Sequence, residues 1–156
     1  MAPASTSRAT RTGDVYSGIE GLIGTRFDDV LTGDALDNFI EGLVGNDTMN
    51  GGDGNDTISS GFNFDVVDGG NGTDTLSFAN AVSGGDIRLH TGISTGWGND
   101  WVVWASNIEN IVGSAFGDNI YGTAGENVIE GGAGADGMLA DGGVDDPLVY
   151  DTLAYR

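Results

Sequence analysis

The chain predicts an all-β fold, a parallel β-roll in which short strands stack as a solenoid. Three observations carry that prediction. A nine-residue period, Gly-Gly-x-Gly-x-Asp-x-apolar-x, runs without a gap over residues 24–77. The same period returns at Gly113. Within both arrays the acidic and the apolar residues keep to separate columns. A period of this kind describes one supersecondary unit that buries its apolar residue only when neighbours stack on it.

The first array holds six units, 24–32, 33–41, 42–50, 51–59, 60–68 and 69–77. Their sixth positions are Asp29, Asn38, Asp47, Asp56, Asp65 and Asp74, and their eighth positions are Leu31, Ile40, Met49, Ile58, Val67 and Leu76. Each unit divides into a turn of six residues and a strand of three. Glycine at positions one, two and four lets the turn adopt positive φ, which a Cβ disfavours. The apolar eighth position is the middle of the strand, so its side chain points to one face while its two neighbours point to the other. Two units make one coil of 18 residues, with two strands facing each other across a thin interior.

The second array holds 113–121, 122–130 and 131–139, with Asp118, Asn127 and Asp136 at position six and Ile120, Ile129 and Met138 at position eight. A fourth unit, 141–149, fits if Ala140 is an inserted residue, and it offers Asp146 and Leu148; Pro147 weakens it by removing a ladder donor. Residues 19–24 match residues 108–113, which marks two related blocks. The expected organisation is a lead-in at 1–13, a first roll block at 14–77, an irregular insert at 78–107, a second block at 108–150 and a tail at 151–156. The lead-in lacks the apolar core of a secretory signal peptide and is expected to be disordered. The chain is expected to be one domain or a piece of a longer array.

Composition narrows the function. The net charge is -19 over 156 residues, with no lysine, five arginines and no cysteine. Nineteen of the 24 acids are aspartate, which suits turns and hard-cation sites. No basic stripe is present to neutralise phosphates, so nucleic acid is not an expected partner, nor is an anionic membrane. No apolar run approaches the ~20 residues of a spanning helix. Disulfides and thiol chemistry are absent with cysteine.

One buried side chain for every nine ordered residues leaves a unit unable to stand alone, and stacking then brings aspartates together. A divalent cation resolves that repulsion and takes the carbonyls that the turns leave over. Turns on one edge alternate with turns on the other, so the expected pairs lie 18 residues apart: 29 with 47, 47 with 65, 38 with 56, 56 with 74, and 118 with 136; 127 and 146, 19 apart across the inserted Ala140, are a weaker pair. The expected carboxylate ligands are Asp29, Asp47, Asp56, Asp65, Asp74, Asp118 and Asp136. The expected backbone positions are Gly42, Val44 and Gly45; Gly51, Asp53 and Gly54; Gly69, Asn71 and Gly72; and Gly131, Ala133 and Gly134. An oxygen-only set suits Ca²⁺, several ions and at least four of them, over Zn²⁺. An EF-hand is excluded because the run 53–56 lacks the glycine and the distal glutamate of that loop.

The arrays resemble the RTX (repeat-in-toxin, haemolysin-type) calcium-binding repeat family. The resemblance implies a right-handed parallel β-roll with Ca²⁺ in its turns, export through type I secretion machinery, an extracellular location and folding outside the cell. Phe27, Leu36, Asn63 and Phe116 replace the fourth-position glycine, and Asn38 and Asn127 replace the acid. Sites on those turns are expected to be weaker or missing.

No catalytic set stands out. His90 is the only histidine, no HExxH is present and no Ser-His-Asp group assembles. Carboxylate pairs abound, but the metal columns claim the best placed. In the insert, Trp101-Val102-Val103-Trp104 reads as an aromatic strand. Trp97, Trp101 and Trp104 are read as a plug for the junction, with a sugar-stacking platform as the rival. The expected function is therefore a non-catalytic, secreted calcium-binding module. The alternatives are a polysaccharide-binding accessory module, with glycan as partner, or the C-terminal repeat tail of a larger toxin, protease, lipase or epimerase.

Overall fold

A computed structural model describes residues 6–8, 20–97, 101–139 and 152–154. The unit 141–149, with Asp146, Pro147 and Leu148, lies outside the described residues, as does most of the lead-in. Among the described residues the fold is all-β, built as two sheets of eight strands each. Sheet A holds β1 (Thr6–Arg8), β2 (Gly21–Ile23), β4 (Phe39–Glu41), β6 (Thr57–Ser59), β8 (Thr75–Ser77), β12 (Asn110–Val112), β14 (Val128–Glu130) and β16 (Thr152–Ala154), in that spatial order. Sheet B holds β3 (Val30–Thr32), β5 (Thr48–Asp53), β7 (Asn63–Asn71), β11 (Trp101–Ser106), β10 (Ile93–Gly96), β9 (Gly85–Arg88), β13 (Asn119–Tyr121) and β15 (Gly137–Leu139), again in spatial order.

Successive nonapeptides alternate between the sheets, so each strand pairs in parallel with the unit two places on. Leu31 lies beside Met49 and Met49 beside Val67 in sheet B; Ile40 lies beside Ile58 and Ile58 beside Leu76 in sheet A. Most units contribute a strand of three residues whose middle residue points inward, while β5 and β7 run on into the following turn. The eighth-position column therefore becomes the core. Leu31, Ile40, Met49, Ile58, Val67, Leu76, Ile120 and Ile129 are all buried, joined by Leu22, Ile87, Ile108 and Ile111. This agreement between local period and global stacking leaves each register only one way to bury its apolar residue.

The insert departs from the regular roll in one sheet alone. Sheet A passes directly from β8 to β12, pairing Leu76 with Ile111 in parallel. Sheet B instead takes in three strands between β7 and β13. β11 runs parallel to β7, β10 runs antiparallel to β11, and β9 runs antiparallel to β10 and parallel to β13. The 3-10 turn Leu89–Thr91, closed by Gly92 at φ 71, links β9 to β10. The widened interior is filled by aromatics: Trp101 is buried and stacks on Phe78 with ring centroids 4.5 Å apart. Gly85 and Gly96 lie against the indole, and a Cβ at Gly85 would come within 2.5 Å of its ring carbons. The three tryptophans therefore part company. Trp101 plugs the junction, while Trp97 and Trp104 are exposed and share no platform with it.

Candidate metal centre

The turns fall into two conformations, and position two decides between them. In the units starting at 42, 51, 60, 69 and 131, position two has positive φ: Leu43 at 76, Gly52 at 108, Gly61 at 98, Gly70 at 102 and Gly132 at 84. Position four does too: Gly45, Gly54, Asn63, Gly72 and Gly134. Asn63 takes φ 80 in place of a glycine, so this turn keeps the same shape without one. These are open turns.

In the units starting at 24, 33, 113 and 122, position two is Thr25, Asp34, Ser114 or Thr123. Its side-chain oxygen accepts the N–H of position four, from Phe27 at 3.2 Å, Leu36 at 2.9 Å, Phe116 at 3.0 Å and Gly125 at 3.0 Å. Its own N–H donates to the sixth-position side chain: Thr25 to Asp29 Oδ2 at 2.7 Å, Asp34 to Asn38 Oδ1 at 2.7 Å, Ser114 to Asp118 Oδ2 at 2.8 Å and Thr123 to Asn127 Oδ1 at 2.7 Å. Such Asx- and ST-turns need no glycine, which accounts for Phe27, Leu36 and Phe116 at position four. These turns are closed by the chain itself.

The sixth-position carboxylates stack in two rows at the spacing the period requires. The N–H of Asp29 donates to Asp47 Oδ1 at 2.9 Å, and that of Asp47 to Asp65 Oδ1 at 2.9 Å. On the other row the N–H of Asn38 donates to Asp56 Oδ1 at 2.8 Å, and that of Asp56 to Asp74 Oδ1 at 2.8 Å. In the second block, Asp118 donates to Asp136 Oδ1 at 3.0 Å, while Asp118 Oδ1 accepts the N–H of Gly85 at 2.8 Å. Each aspartate in the open turns of the first block therefore spends one oxygen on backbone. The other is left over: Oδ2 of Asp47, Asp56, Asp65 and Asp74 is buried and has no hydrogen-bond partner.

Four buried, orphaned carboxylate oxygens along these two rows call for a partner, because a buried charge without one is among the costliest groups in a protein. Burial pushes the Asp47 carboxyl up to about 6 and the Asp65 carboxyl up to about 7, and raises Asp56, Asp74 and Asp118 as well. Neighbouring negative charges add to this, Asp29 acting on Asp47 and Asp47 on Asp65, against the backbone N–H bonds that lower it. Glycines at position one leave room beside the orphans of Asp47, Asp56 and Asp74. A Cβ at Gly42 would stand 2.6 Å from Asp47 Oδ2 and against the carbonyl of Ser60, and one at Gly51 would meet Asp56 Oδ2 and the carbonyl of Gly69. Among the described residues no three His, Cys, Asp or Glu side chains gather at one point. Backbone carbonyls must then complete any coordination shell, as suits a hard, oxygen-seeking cation. The donor set fits calcium.

The remaining expected positions sit in the same turns. Val44 carries an isolated parallel bridge to Phe62, the N–H of Asp53 donates to Asp34 O at 3.0 Å, and Asn71 O accepts from Gly54 N at 2.9 Å. The N–H of Ala133 donates to Ser114 O at 3.2 Å. Asp29 and Asp118 differ from the open-turn aspartates in that Thr25 or Ser114 occupies Oδ2 with both N–H and hydroxyl. Two features escape the nonapeptide column: the closing role of position two, signalled by Thr, Ser or Asp four residues before the acid, and Glu109, which accepts the N–H of Asp74 at 2.8 Å. Among the described residues no helix is long and apolar enough to cross a membrane.

No curated protein matches the chain. The model of the RTX calcium-binding nonapeptide repeat matches it in four overlapping stretches, residues 23–58, 32–67, 50–80 and 112–146, which together span more than half of its length. Repeats of this kind bind Ca²⁺, and the matched stretches contain all five open turns and the stacked aspartates. From its period, its turn chemistry and this match, the chain belongs to the RTX calcium-binding nonapeptide repeat family.

Proposed function

We propose that the chain is a secreted, non-catalytic calcium module, a right-handed β-roll whose folding is completed by ions met outside the cell. One observation carries the reading: the buried, unpartnered Oδ2 atoms of Asp47, Asp56, Asp65 and Asp74. Ions are held in the open turns, between carboxylates 18 residues apart and the carbonyls of positions one, three and four. Closed turns, with Asp29, Asn38, Asp118 and Asn127 already satisfied by position two, hold their shape with less help. The first coil and part of the second block therefore need the ions least, and the open turns of units 42–77 and 131–139 wait for calcium to fold.

Extracellular calcium modules bind at about 10⁻⁴–10⁻³ M. At ten times Kd each independent site adds about 1.4 kcal/mol, so four add roughly 5–6 kcal/mol, enough to decide whether a domain of this size is folded. Circular dichroism in chelator is expected to show mostly coil, with a cooperative β signal at millimolar calcium. Unchanged β content after chelator dialysis, with no ion retained in native mass spectrometry, would overturn the reading.

A further inference from the structure

The sheet A row of sixth positions does not end with the first block. The N–H of Asp56 donates to Asp74 Oδ1, and the N–H of Asp74 donates in turn to Glu109 Oε2, both at 2.8 Å. The strand register agrees, since Thr75 pairs with Asn110 and Leu76 with Ile111. Glu109 thus precedes β12 as Asp74 precedes β8.

The backbone half of an open turn is reproduced as well. In the regular turn, the first glycine faces the Oδ2 of its own aspartate and the first carbonyl of the unit two places on, as Gly51 faces Asp56 Oδ2 and the Gly69 carbonyl. Gly69 faces Asp74 Oδ2, 2.6 Å from where a Cβ would stand, and the carbonyl of Asn107. Asn107 holds φ 52, and its Nδ2 donates to Asp68 Oδ1 at 2.7 Å. Asp74 is fully buried and its Oδ2 has no partner, so an unsatisfied oxygen points at this place. The sheet B row offers a contrast. There Asp65 is followed on the neighbouring strand by Val103, and the carboxylates stop.

We propose that a divalent cation, calcium, binds at the junction of the two blocks, held by Asp74, Glu109 and the Asn107 carbonyl. The inference rests on the calcium-module reading and adds a site that the nine-residue period does not contain, because 35 residues separate Asp74 from Glu109. Two carboxylates and a carbonyl form an all-oxygen set suited to a hard cation. The ion ties the blocks together across the insert.

The test is the number of calcium ions held by Glu109→Gln against the unaltered chain, counted by native mass spectrometry and by calorimetric titration. The amide keeps an oxygen for the Asp74 N–H and removes only the charge. The expected result is one ion fewer, with the calcium-loaded β signal retained. An unchanged count with unchanged affinities overturns the junction site while leaving the module reading intact; an unaltered chain that takes no calcium overturns both. Should the variant fail to fold, terbium-loaded crystals of the unaltered chain decide. A lanthanide peak between Asp74 and Glu109 supports the site, and peaks confined to the other turns overturn it.

Discussion

Titrating the calcium-free chain from about pH 4 to about pH 8 is expected to unfold it, and the buried aspartates give the size of the effect. Asp47 and Asp65 are held at about 6 and about 7 in the fold, against the ordinary value of 3.8. At about 1.36 kcal/mol per pH unit, ionising both in place costs roughly 3 and 4 kcal/mol. The sum is comparable to the whole stability of a small domain, about 5–15 kcal/mol. The sign follows from the raised values: the folded form binds more protons, so its stability is fully present below the unfolded value and is lost as pH rises through 6 and 7. Calcium reverses the preference, because it binds the ionised carboxylate and releases the proton. The assay is circular dichroism and thermal melting of chelator-dialysed protein across that range, repeated with Asp65→Asn. The amide keeps an acceptor for the Asp47 N–H and removes the carboxylate that is costlier to ionise. It is expected to shift the unfolding midpoint to higher pH, with a gain of up to about 4 kcal/mol near pH 8 in the absence of calcium and weaker binding in its presence. Equal β content and equal Tm at both ends of the titration, with no response to Asp65→Asn, would refute the reasoning.

Trp101→Ala is expected to cost about 3–5 kcal/mol in the calcium-loaded state, the usual price of emptying a large buried aromatic site, while exposed Trp104→Ala stays within about 0.5 kcal/mol; chemical denaturation with millimolar calcium measures both. Gly70→Ala places a Cβ at φ 102 and against the carbonyl of Gly52. It is expected to destabilise the turn by about 1–3 kcal/mol and to move the calcium midpoint upward in a dichroism titration.

The roll itself was legible residue by residue. Position eight predicts the core because it supplies the inward apolar side chain of each unit's strand, and Leu31 through Leu76 are buried as their column requires. Position six predicts the stacked carboxylates, and the 18-residue offset appears as N–H donations from one turn to the next. The insert was less legible because its pairing is non-local. Nothing in Ile93 or Trp104 announces that they face each other antiparallel, or that sheet B widens while sheet A does not. Glu109 was hidden for the same reason: its partner Asp74 lies across the insert, where the period is broken. The split between open and closed turns was present in the letters, in Thr25, Asp34, Ser114 and Thr123, but the glycine pattern is blind to side-chain oxygens that do a different job.

The donations along the aspartate rows all point one way. The sixth amides of Asp29, Asn38, Asp47, Asp56 and Asp118 each find an acceptor 18 places downstream, and that of Asp74 finds Glu109, 35 places downstream. The array is therefore polar in its dependence. Removing coils from the downstream end strips the carboxylate acceptor from an inward-facing amide, whereas removal from the upstream end leaves the carboxylate row intact and strips carbonyl acceptors instead, as Thr48 would lose Asp29 O and Val66 would lose Asp47 O. The two ends of a shortened stack therefore fail differently, and only the downstream cut reaches the buried carboxylates.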